Sequence, residues 1–140
     1  MDDNKIKHLE FIQNIITRMN SNSFQLKGMV ITIVSALLAV YASNKNQDFI
    51  LIAIVPSILF WFLDAYYLQQ ERKFRGMYND VSGVNENPKE FKPFEMRPDK
   101  YIGDKYLYIR VFFSPTIWPI YTVLVFGLLL TYKLINCTNG

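Results

Sequence analysis

The residues best equipped for chemistry lie around one junction. Asp64 is the sole charge between Phe49 and Gln70, and Arg72, Lys73 and Arg75 follow shortly after it. Within a bilayer a carboxylate can relay a proton, hold an ion or pair with a cation. At mid-depth it costs roughly 2.5 to 3.5 kcal/mol, so it must face protein or water. Asp64 lies about one turn from the end of its apolar run, where the cost falls and an interfacial cation is within reach. An ion-pathway role and a structural role both fit. The cations continue as Lys89, Lys92 and Arg97, interleaved with Phe91, Phe94, Tyr101, Tyr106 and Tyr108. Cations beside aromatic faces can hold phosphates and stack bases, or lie on anionic headgroups. Glu86, Glu90, Glu95, Asp99 and Asp104 dilute the patch, which equally fits a solvated connection packed on helix ends. The sharper expectation is an anionic ligand on Arg72, Lys73, Arg75, Lys89, Lys92 and Arg97.

Catalysis has little to work with. His8 is the only imidazole and falls on the polar side of the first helical pattern, with no nucleophile beside it. Cys137 is the only cysteine, so neither an internal disulfide nor a thiolate metal site is available. The chain has no phosphate-binding glycine loop, HExxH or GxSxG. The expectation is a protein that is not an enzyme and needs no cofactor or metal.

The elements that must carry these residues are helices. A 51% hydrophobic content concentrated in long charge-free runs suits lipid better than the core of a 140-residue soluble domain. Residues 1–23 place Ile6, Leu9, Ile12, Ile16 and Met19 at helical spacing, predicting an amphipathic helix for the membrane surface or for packing on a neighbouring helix. Asn20 to Ser23 would make a turn and cap the next helix. A first span is expected over 24–43 and a second over 49–68, its helix continuing to about 80. A third span is expected over 111–133, opened by Ser114 and Pro115 and followed by a tail over 134–140. Residues 81–110 form a mostly irregular connection, with Pro88, Pro93 and Pro98 opposing helix. The amino-terminal residues show no short apolar core with a cleavage site, so the first span is expected to be kept. The fold class is therefore an all-α membrane protein.

The first span has a distinctive seam. Gly28, Thr32, Ser35, Ala39 and Ala42 recur at intervals of four and three, while larger apolar residues cover the rest. Small residues let helix backbones touch in lipid, so the seam fits close packing; it also fits the wall of a hydrated pathway in an oligomer. On the second span Ala53, Ser57 and Asp64 share a face near Pro56, which removes a backbone donor.

In layout the chain resembles the small membrane effectors of bacterial anti-phage operons, and among them the Hailong-type effectors. The segments that suggest it are FIQNIITRMNSNSFQLKG, leading into the first span, and LDAYYLQQERKFRGMYNDV, leaving the second. The resemblance implies a homo-oligomeric channel in the bacterial inner membrane, whose opening depolarises it. It also implies gating by a nucleotide or single-stranded oligonucleotide made by a partner nucleotidyltransferase. Carried over, the pore falls to the small-residue seams and the ligand to the basic connection. The alternatives are a non-conducting scaffold or accessory subunit, and a lipid-binding regulator.

Orientation follows from the cations. Lys5, Lys7, Arg18 and Lys27 precede or open the first span. Arg72, Lys73, Arg75, Lys89, Lys92, Arg97, Lys100, Lys105 and Arg110 lie between spans two and three. Only Lys45 and Lys133 fall on the other side. The excess predicts the amino terminus and the connection in the cytoplasm and the carboxyl tail outside. A topology reporter fused after Lys89 is expected to read as cytoplasmic, and one at the carboxyl terminus as extracytoplasmic; the reverse pattern would overturn the orientation.

Overall fold

The computed structural model describes residues 2–140, and among these every regular element is helical. Helix α1 spans Asp3–Asn44 and helix α2 spans Asp48–Ser82. A five-residue helix, α3 (Tyr108–Phe112), precedes α4 (Trp118–Asn139). Helices α1, α2 and α4 are long and apolar enough to cross a membrane, with mean hydropathies of 1.8, 2.1 and 1.7 over their most apolar stretches. Leu51, Val55, Leu59 and Phe62 of α2, and Val123, Phe126, Leu130 and Leu134 of α4, are exposed. Contiguous outward apolar faces of this kind suit hydrocarbon and would be a liability in water.

Helix α1 is unbroken where the sequence predicted a turn. Asn20, Ser21, Asn22 and Ser23 are all helical, although each such residue costs a few tenths of a kcal/mol relative to alanine. The cost is offset because α1 packs antiparallel on α2 along both its polar and its apolar half. The Ser23 hydroxyl, which could have capped a helix start, instead donates to Asp64. At 1.5 Å per residue α1 is about 63 Å long and α2 about 52 Å, so both extend well beyond a hydrocarbon core of about 30 Å.

The hairpin between them is short. Lys45 adopts a left-handed conformation with φ 57° and closes α1 on the Tyr41 carbonyl. The Asn46 side chain then accepts the Asp48 amide at 3.0 Å, an Asx turn that starts α2. At its far end α2 is closed by Gly83, whose φ of 82° favours a residue without a side chain.

Two apolar clusters divide the molecule. In the membrane half, Val30 and Val34 of α1 meet Ile50, Ala53 and Ala65 of α2 and Tyr121 and Leu128 of α4. In the charged half, Ile12 and Ile16 meet Phe74 and Met77, and the connection adds Tyr101. The amphipathic segment therefore packs on its own chain. His8 departs from the sequence expectation: it is buried, and its Nε2 lies 2.9 Å from the Glu95 carbonyl oxygen. The connection reaches it by a turn in which Pro93 precedes Phe94 at φ 63°, closed by the Glu95 amide donating to the Lys92 carbonyl. This turn sets the Phe94 ring beside those of His8 and Phe11.

The third span also starts later than predicted. Ser114 does not cap it, because its hydroxyl accepts Arg72 Nη2 at 3.2 Å. The helix begins at Trp118 with Pro119 in its first turn, and runs through most of the expected tail.

The irregular connection is pinned to α2 by tyrosines. Tyr101 donates its hydroxyl to Asp80, which also accepts the Asn85 amide. Burial and that carboxylate push the Tyr101 phenol well above its ordinary pKa. Gly76 makes the contact possible, since a β-carbon there would lie 2.6 Å from the Tyr106 hydroxyl and 2.9 Å from the Tyr101 ring. Gly76→Val is expected to lift the connection off α2 and to cost about 1–3 kcal/mol. The readouts are a lower thermal midpoint in detergent and faster protease nicking within residues 83–107; unchanged nicking would refute the contact.

Candidate functional site

The most concentrated polar chemistry in the membrane half is built around Asp64, whose side chain is 0% exposed. Its position follows from the register of α2: Ala53, Ser57 and Asp64 repeat at intervals that keep one stripe turned inward, and all three are buried. Each flanking helix brings donors to the carboxylate. Helix α1 supplies Ser23, whose hydroxyl donates to Oδ1, and Lys27, whose Nζ lies 2.5 Å from Oδ2 and 2.8 Å from the Ser23 hydroxyl. Helix α4 supplies the Tyr121 hydroxyl, 3.0 Å from Oδ2. One carboxylate thus ties three helices together.

The surroundings make this a lock. Trp61 stacks on Tyr121 and on Phe112 and donates its indole N–H to the Phe112 carbonyl at 3.1 Å. Deeper in the bundle, the Ser57 hydroxyl is bonded back to the Ala53 carbonyl at 2.9 Å. On the other side, an open cleft of about 310 Å³, lined in part by Asn20, Lys27, Glu71 and Thr116, leads to the ion pair. Water can therefore approach Lys27, whose side chain retains 18% exposure, while Asp64 stays sealed. Among the described residues no buried side-chain polar atom lacks a partner. The sequence offers Ser23 only as part of a helix cap and does not mark Tyr121. The usable signal was Asp64 itself, because an acid in an apolar run requires donors from neighbouring helices.

The small-residue seam of α1 goes elsewhere. Gly28, Thr32, Ser35, Ala39 and Ala42 are all exposed, because Val30 and Val34 are the residues turned towards α2. A β-carbon at Gly28 would meet nothing within 4 Å. The two seams read from the sequence therefore face opposite ways: Ser57 and Asp64 pack within the chain, and the α1 stripe is presented outward.

The six basic residues predicted to bind a ligand are dispersed, and four of them are engaged internally. Arg72 donates to the Lys105 carbonyl and to Ser114, both at 3.2 Å. Arg75 pairs with Glu71 at 2.6 Å. Lys89 donates to the Lys100 carbonyl and lies 4.3 Å from the centre of the Tyr101 ring. Arg97 pairs with Asp99 at 2.9 Å, which raises the guanidinium pKa and lowers that of the carboxyl. Lys92 is exposed and contributes its backbone amide to Glu95. That bond, with the Lys100 ammonium, holds Glu95 below its usual range. Lys73 is half-buried on α2. Local acids and carbonyls thus satisfy most of the patch, an outcome that residue counts do not reveal.

The ion pair gives an asymmetric prediction. Lys27→Met leaves a sealed carboxylate with hydroxyl donors alone and is expected to destabilise by about 3–5 kcal/mol. Asp64→Asn keeps an acceptor for Ser23 and Tyr121 while Lys27 can turn to water, and should cost only about 1–2 kcal/mol. Thermal midpoints in detergent compare the two, and equal losses would show that Asp64 is not held as described.

No protein-family model, curated protein or solved structure matches the chain.

Proposed function

We propose that the chain is a multi-pass membrane effector that assembles from several copies around the outward seam of α1 and acts as a gated ion channel. The observation that carries this reading is the exposure of Gly28, Thr32, Ser35, Ala39 and Ala42 on a helix long and apolar enough to cross a bilayer. Hydroxyl-bearing and small residues gain little from acyl chains. They gain from a second backbone at close range or from water. An oligomer supplies both: a helix contact on one side of the stripe and a hydrated lumen on the other.

Continuity of the helices supports gating. Helix α1 carries Ile12 and Ile16 of the charged half and Ser35 and Ala39 of the seam without an interruption, and α2 is likewise unbroken between Asp64 and Met77. Anything that repacks the charged half must tilt or turn the spans joined to it. In this reading the excess of cations puts that half in the cytoplasm, and the layout resemblance makes the membrane a bacterial inner membrane. The controlling partner in this reading is an anionic ligand, a nucleotide or oligonucleotide, favouring one packing of α1 on α2 over another. Lys73 and Lys92 are the members of the basic set best placed to meet it first. A role in anti-phage defence follows from the layout resemblance and belongs to the same proposal.

The test is conductance of the purified protein in planar bilayers. Ser35→Leu and Ala39→Leu are expected to abolish current while the detergent-solubilised complex keeps its wild-type mass. Wild-type current in both variants would remove the seam from the pathway. A wild-type assembly that never conducts, with or without nucleotide, would favour a scaffold.

A further inference from the structure

The segment from Ile102 to Phe113 joins apolar side chains to cations at the edge of the membrane half. Its depth is fixed by α2. Tyr108 donates its hydroxyl to the Phe62 carbonyl at 2.7 Å, and the Phe112 ring stacks on Trp61 with centroids 4.4 Å apart. Trp61 and Phe62 lie almost two turns before Leu68, where the apolar run ends, so α3 sits about 10 Å inside that end. Val111 and Phe112 turn inward and join the main apolar cluster. The opposite side carries Ile109 and Phe113, 65% and 58% exposed, with Arg110 between them, its side chain 63% exposed. Just before them, Ile102 is 85% exposed and Lys105 is exposed as well. The described residues leave Ile109 and Arg110 largely uncovered, while the Phe113 ring also meets Trp61 and Phe112 edge-on.

Placed among acyl chains alone, Arg110 would be costly, and its one ion pair, with Asp104 at 3.2 Å, is itself exposed. Headgroup phosphates resolve the mismatch. The segment descends along α2, from Lys105 beside Arg72 to Phe112 beside Trp61, so it presents cations towards the headgroups and apolar side chains towards the acyl chains, the pairing of a membrane-surface anchor. The partner is argued from charge and from continuity: cations flank the apolar residues, and five residues after α3 the chain enters α4, itself long and apolar enough to cross the bilayer. We infer that Ile102–Phe113 is a docking site for an anionic phospholipid, with Lys105 and Arg110 on the headgroup phosphate and Ile109 and Phe113 against the upper acyl chains. This rests on the chain being membrane-embedded, and it places the anionic headgroup on Lys105 and Arg110, outside the six basic residues assigned to a nucleotide.

The test compares phosphatidylglycerol with phosphatidylcholine, measured as lipid retained by the detergent-purified protein in native mass spectrometry. Each cation near an anionic surface is worth roughly fivefold in binding. Wild type is therefore expected to prefer phosphatidylglycerol by roughly twenty-five-fold, and a Lys105→Gln, Arg110→Gln double variant to lose nearly all of that preference. Ile109→Ser with Phe113→Ser should lower retention of both lipids. Lys105 and Arg110 are exposed, so the charge variant should keep the wild-type thermal midpoint. Undiminished preference in the charge variant, or none in wild type, would overturn the site. So would a charge variant that loses binding of a fluorescent oligonucleotide while keeping its lipid preference. Resistance of the wild-type protein to alkaline carbonate extraction separates the outcomes: protein that stays in the membrane without the preference defeats the lipid site alone, and protein that washes off defeats the membrane reading.

Discussion

The structure depends on the burial of one carboxylate. Asp64 is sealed among apolar side chains, and its ionised form is tolerable only because Ser23, Lys27 and Tyr121 converge on it from two other helices. Lipid offers no hydrophobic push between helices, so directional bonds have unusual authority over which helices meet and in what register. Helix α1 faces α2 through Val30 and Val34 because Ser23 and Lys27 must reach Asp64. Helix α4 joins through Tyr121, clamped by the stacked Trp61 ring. Turning α1 so that its own stripe of small residues faced α2 would draw Ser23 and Lys27 away from the acid.

That constraint explains the outward seam. Once the apolar side of α1 is committed to α2, the stripe from Gly28 to Ala42 has no place within the fold. The face that looks best suited to close packing is the one left over. The same economy governs the charged half, where the connection folds back on α2 through Tyr101 and Tyr106 across the bare backbone of Gly76. In doing so it spends most of its cations on its own carbonyls and carboxylates. Fewer cations are therefore left unengaged than their number in the sequence suggests.

The two halves share continuous helices, so they are mechanically one object. The four residues at 20–23, each able to stop a helix, do not do so, because the local preference is worth tenths of a kcal/mol per residue and the packing on either side is worth more. A flexible joint there would isolate the polar hairpin from the spans. A continuous rod lets motion in one reach the other.

Charge-free length determined the helical membrane class from sequence alone: nothing but a helix satisfies the backbone of some twenty consecutive apolar residues. The sequence also announced that Asp64 needed partners, because an isolated acid in such a run is untenable. It did not choose the partners. Ser23 looked like a cap, His8 like a solvent-facing residue, and Ser114 like the start of a helix. Each assignment changed because a hydroxyl or an imidazole can serve several partners equally well, and only the assembled neighbours decide which. Tertiary structure likewise decided that the two small-residue seams face opposite ways, since periodicity places residues on a face but cannot say what that face meets.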